Sequence, residues 1–107
     1  MYKEVVKMFV NVIDSYRKVV AVADDGLVGK QFYEGKKQLD VKVSFYKGEL
    51  DSLEKDEVIE VMKEMLAEDA TFNIVGEESV AAAVEAGIIT KDEILTIDGI
   101  PYSLILL

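Results

Sequence analysis

Residues 39–66 read LDVKVSFYKGELDSLEKDEVIEVMKEML, and the hydrophobic period changes inside that stretch. Leu39, Val41, Val43 and Phe45 alternate with Asp40, Lys42, Ser44 and Tyr46. A period of two sends alternate side chains to opposite faces of a strand, so residues 39–46 predict a half-buried strand that ends at Lys47 and Gly48. Val58, Val61, Met62, Met65 and Leu66 then fall at helical spacing on one stripe, the signature of a helix packed on a core. Asp51 or Ser52 is placed to cap this helix, and Glu54, Asp56 and Glu57 suit the positive end of its dipole.

Strand patterns extend toward the N-terminus. Residues 5–13 are β-branched and alternating, with Met8, Val10 and Val12 on one face. Asp14 and Ser15 supply turn chemistry, residues 17–23 read as the returning strand, and Asp24, Asp25 and Gly26 end it. Residues 27–33, broken by Gly29 and closed by Gly35, fit no single period. Toward the C-terminus, residues 71–75 read as a strand or an irregular crossing, and residues 77–86 as a second helix. Gly87 and Ile88 form a glycine C-cap with an apolar clasp. Thr90 to Glu93 has capping-box spacing. Residues 94–97, the Asp98–Gly99 turn and residues 100–107 predict a closing hairpin, with Pro101 at a strand start or edge and the last strand paired inside the sheet. The order strands, two helices, strands predicts one α+β domain over residues 1–107. Its sheet is mostly antiparallel, of about five to six strands, with two helices packed against it.

Composition removes several chemistries. The chain has 107 residues with no Cys, no His and no Trp. Thiolate metal sites, disulfides, cysteine nucleophiles and Ser–His–Asp triads are therefore out of reach. Acid–base work would fall to carboxylates, Lys or Tyr, whose ordinary pKa values lie far from neutrality. No apolar run approaches the ~20 residues of a membrane span, and Lys7 and Asn11 interrupt any leader-like stretch. A cytoplasmic protein with no membrane partner is the expectation.

Charge is unevenly spread. Residues 1–25 carry four basic and four acidic groups; residues 26–48 carry five Lys against Glu34 and Asp40, net +3; residues 49–107 carry three Lys against fifteen acids, net −12. The sum is the net charge of −9. Glu60, Glu64 and Glu68 stand four apart on the first helix, a solubilising face or a dock for a basic partner. Lys42 and Tyr46 share the outward face of the expected strand at 39–46, with Lys36 and Lys37 just before it. An aromatic beside lysines on an open sheet can stack a base and hold a phosphate. The ordinary reading, surface lysines on a sheet, competes with it, because one Arg in the chain and a net charge of −9 disfavour a polyanion.

Gly26, Gly29 and Gly35 fit neither a dinucleotide nor a P-loop spacing. Asp24–Asp25 lacks the ladder of a calcium loop, and Glu77 and Glu78 place carboxylates where a phosphate at Gly76 would sit.

Four stretches carry more than periodicity: LVGKQFYEG from Leu27, FYKGEL from Phe45, NIVGEESVAAAVEAGII from Asn73, and ILTIDGIPY from Ile94. Over nearly the whole chain the pattern resembles an archaeal family, domain of unknown function 424. The matching positions are Leu27, Gly29, Lys30, Phe32, Glu34 and Gly35; Phe45, Tyr46, Gly48 and Glu49; Asn73, Val75, Gly76 and Glu77; and Gly99 and Pro101. The family pattern has a His after the proline where this chain has Tyr102, so any role of that His is missing here. The resemblance implies an archaeal cytoplasmic protein of this size. It carries a link to translation or RNA handling as an expectation, and it implies no activity, catalytic residue or cofactor.

The candidate binding residues are thus Lys30, Glu34, Lys36, Lys37, Lys42, Tyr46, Asn73 and Glu77. Lys30, Glu34, Asn73 and Glu77 are polar groups at glycine turns and would form a cleft if they converge. The leading expectation is a non-catalytic binding or adaptor domain, with no cofactor or metal, whose partner is a protein or ribonucleoprotein or, directly, a nucleic acid. A small enzyme using Lys30 and carboxylates with Mg²⁺, with Glu34 near Asp24 or Asp25, is the alternative. A structural homodimer is a third.

Overall fold

Apolar alternation builds the first hairpin. In this computed structural model, which describes residues 6–49 and 51–105, β1 (Lys7–Ile13) pairs antiparallel with β2 (Val19–Asp24). Met8, Val10, Val20 and Val22 are buried on one face, and Ala21 and Ala23 on the other. β2 is therefore interior on both sides, which its near-continuous apolar run requires. β6 (Thr71–Val75) lies parallel to β2, with Val20 opposite Phe72 and Val22 opposite Ile74. β8 (Ile100–Ile105) adds antiparallel to β6, and β7 (Leu95–Ile97) closes the far edge through the Asp98–Gly99 turn. A two-residue β5 (Leu53–Glu54) borders β1. The result is a six-stranded mixed sheet in the order β5-β1-β2-β6-β8-β7. The C-terminal strand lies inside it, as its apolar sequence demands. Val5, Leu106 and Leu107, the expected outer ends of the first and last strands, lie outside the described residues.

α2 (Lys55–Ala67) and α3 (Glu77–Glu85) cover one face of the sheet. Val58, Ile59, Met62, Val80, Ala82 and Ala83 pack there against Met8, Val20, Phe72 and Ile74. Alanines on α3 let the helix approach the sheet closely. α2 begins later than its expected Asp51 or Ser52 cap. Residues 53–54 are held in the sheet as β5, so the chain turns helical only at Lys55, and the Glu54 N–H donates to Glu57 Oε1 at 3.3 Å.

The opposite face carries a second, smaller layer that the strand-like stretch did not foretell. β3 (Gln31–Glu34) and β4 (Lys37–Asp40) form a separate two-stranded ribbon, so the ambiguous segment before Gly35 is a strand. The expected strand at 39–46 is corrected: extension ends at Lys42, and α1 (Val43–Tyr46) is a single helical turn. Neighbouring residues explain why. A strand would send Phe45 and Tyr46 to opposite faces, whereas a helical turn lets both rings reach the layer holding Ala21, Ala23, Val41 and Val75. The two rings meet edge to face, with centroids 5.0 Å apart. The sheet is thus sandwiched between two acidic helices and a lysine-bearing ribbon.

Candidate functional site

Three glycine-bearing turns meet at one joint. Asp24 ends β2 and aims its carboxylate at the first turn of α3. The Ser79 N–H donates to Oδ1 at 2.8 Å, the Ser79 hydroxyl to the same atom at 2.7 Å, and the Glu78 N–H to Oδ2 at 3.2 Å. Asp24 thereby supplies, from a distant strand, the helix cap that α3 lacks locally. Gly76 precedes α3 with φ +110°, and its N–H donates to the Pro101 carbonyl at 2.8 Å. A cleft of about 340 Å³ opens beside this joint, lined by Asp24, Asp25, Leu27, Glu77, Gly99 and Pro101 among others. Three of the four stretches carrying the family resemblance border it.

The candidate residues do not converge there as a set. Glu77 lines the cleft, but Glu34 accepts the Asp98 N–H at 3.0 Å over the β7–β8 turn. Asn73 stands in mid-sheet between Ala21 and Leu104. Lys30 lies at the base of the ribbon, where its carbonyl accepts the Val41 N–H at 2.9 Å. The polar cleft imagined from Lys30, Glu34, Asn73 and Glu77 is therefore not formed. Among the described residues no group of three or more Asp or Glu could hold a metal ion. Of the carboxylates offered for Mg²⁺, Asp24 accepts from the start of α3 and Glu34 from the Asp98 N–H, in different places.

The lysines behave otherwise. Lys30, Lys36, Lys37 and Lys42 are all exposed on the ribbon layer. Lys36 and Lys37 follow Gly35 at the bend, where φ +60° lets the chain reverse tightly. Lys30 and Lys42 flank the other end. Lys47 differs, sitting 5.3 Å above the Phe9 ring. Of the two acids of the layer, Glu34 is exposed and accepts the Asp98 N–H, and half-buried Asp40, opposite Gln31, is close enough to act on the Tyr46 phenol.

Tyr46 itself is a correction. It was expected on an outward face, yet it is 5% exposed and packed in the core of the ribbon layer. Burial, and secondarily the charge of Asp40, pushes its phenol up to about 12. The neutral phenol is the form the fold favours. Its contribution is complete below the ordinary value near 10 and is lost as pH climbs from there to about 12. Denaturant titrations should show stability falling across that window by on the order of 2 kcal/mol, a fall that Tyr46→Phe removes. An identical fall in the variant would place its cause elsewhere. The exposed aromatic of the layer is Tyr33, on the outer side of β3 and 57% exposed. Its outward placement follows from a strand pairing that periodicity at 27–33 could not reveal.

Among the described residues no helix is long and apolar enough to cross a membrane. A family of proteins of unknown function, DUF424, matches residues 13–107. The chain belongs to this family. The crystal structure of an uncharacterized conserved protein from Methanopyrus kandleri superposes with a TM-score of 0.82 at 25% identity, covering 92% of this chain and 90% of that one. A comparison with curated proteins returns no match. In this DUF424 chain the motif glycines and their neighbours build the Asp24 joint and the ribbon, so the shared pattern reads first as architecture.

Proposed function

We propose that this DUF424 protein is a non-catalytic, cytoplasmic binding domain that docks an anionic partner of the ribonucleoprotein kind through the β3–β4 ribbon. One observation carries the reading: the sheet separates the charges. The layer of residues 26–48, net +3, covers one face, and α2 and α3 with their carboxylates cover the other. α2 and α3 together carry a net −5, so that part of the negative charge that argued against a polyanion lies behind the sheet. Lysine rather than arginine at the surface suits backbone phosphates taken as point charges, without base-edge readout.

The triple change Lys36→Glu, Lys37→Glu and Lys42→Glu turns the layer from +3 to −3, since each change subtracts two charges. It should abolish co-sedimentation with archaeal ribonucleoprotein particles at low salt while leaving the circular dichroism spectrum intact. Co-sedimentation that survives the triple change overturns the reading. The exposed lysines make few contacts, so the fold should tolerate their replacement.

A further inference from the structure

The ribbon offers more than charge. Its two faces differ by register. Phe32 and Leu39 stand opposite one another and pack inward against the sheet. Tyr33 and Gln38 also stand opposite one another, and both are exposed on the outer side. The Tyr33 ring is not loosely placed, because its hydroxyl donates to Gln31 Oε1 at 2.6 Å. That bond fixes the phenol end of a side chain that is 57% exposed. Amide groups of Gln31 and Gln38 lie beside it, with donors and acceptors both on offer, and half-buried Asp40, opposite Gln31, is the one carboxylate on this side of the two strands. Lys36 and Lys37 stand at one end of the strand pair, and Lys30 and Lys42 at the other. A four-residue strand is about 13 Å long, so the ring is bracketed by cations at close range.

We infer that the outer face of the β3–β4 ribbon binds single-stranded nucleic acid, with a base stacked on the Tyr33 ring and the flanking phosphates on Lys30, Lys36, Lys37 and Lys42. This rests on the ribbon being the anion-docking surface and names what the anion is. A free aromatic face between cations matches a polymer that alternates π-faces with phosphates. A duplex keeps its bases stacked on each other and would meet only the lysines. An acidic polypeptide would likewise use the lysines and leave the ring without a planar partner. No arginine lies on the ribbon layer, so bidentate base-edge contacts are missing there and recognition tolerates sequence.

The test uses the full chain and three probes at 50 mM salt: a labelled twelve-residue oligouridylate, a heparin fragment as a base-free polyanion, and polyglutamate. The oligouridylate should bind, and Tyr33→Leu should weaken it about tenfold, in line with loss of one stacked base. Tyr33→Phe should retain binding, and heparin should not distinguish Tyr33→Leu from the parent. With no Trp in the chain, emission comes from its five tyrosines, and the difference between the parent and Tyr33→Leu reports the Tyr33 ring. Emission should be quenched by the oligouridylate in the parent and much less in Tyr33→Leu. Equal losses on oligouridylate and heparin, or no loss on either, overturn the stacking inference and leave the anion-docking surface standing. Tighter binding of polyglutamate than of oligouridylate does the same and points to an acidic protein. No binding of any probe overturns both.

Discussion

Replacing Gly76 by Ala should cost roughly 4 kcal/mol or more, a large share of a whole stability of order 5–15 kcal/mol. A Cβ at this position would stand 2.3 Å from Asp24 Cγ and 2.5 and 2.6 Å from its two oxygens. The carboxylate cannot swing aside freely, because it accepts bonds from the Glu78 and Ser79 N–H groups and the Ser79 hydroxyl. Displacing it uncaps α3, about 1 kcal/mol, and leaves the fully buried Ser79 hydroxyl unpartnered, about 1–3 kcal/mol. The backbone at φ +110°, ψ 155° adds about 1–3 kcal/mol for any residue with a Cβ. A double-mutant cycle isolates the clash. Asp24→Ala alone should destabilise by about 2–3 kcal/mol through the lost bonds. Combined with Gly76→Ala it should add little, because the atom being struck is gone. Strict additivity in denaturant unfolding would show that the two residues act separately.

Phe72→Ala should cost about 3–5 kcal/mol. Phe72 is the largest fully buried side chain, sits on β6 opposite Val20, and lies in the core between sheet and helices. Its removal opens a cavity beneath α2 and α3 that close-packed neighbours cannot fill. Phe72→Leu should recover most of the loss, since volume dominates at such a site. The midpoint of urea unfolding measures both. A loss under 1 kcal/mol for Phe72→Ala would mean that the helices collapse onto the sheet more freely than this packing allows.

The legible parts of the sequence were those where one period served one element. β1, β2, α2, α3 and the closing hairpin each bury a single face or a whole strand, so alternation or helical spacing located them. Residues 39–46 misled because two structures share one alternating run. The strand half obeys the period, and the helical half preserves it by accident until Phe45 and Tyr46 must both turn inward. That error carried Tyr46 to the surface and hid Tyr33. Asp24 reads locally as turn chemistry, since nothing nearby in the chain announces that its partners lie 54 and 55 residues ahead. The lysines were visible from charge counting alone. Their arrangement around one ring needed the register of β3 with β4.

The sheet's place between opposite charges makes the sign of the molecule depend on distance. From afar an incoming anion meets the monopole of −9, which repels it; at contact with the ribbon it meets a local +3. Dissolved salt acts unequally on the two, because at 0.1 M it erases interactions beyond about 10 Å and spares those at touching range. Ordinary cellular ionic strength therefore hides the repulsive charge while leaving the attractive one in play.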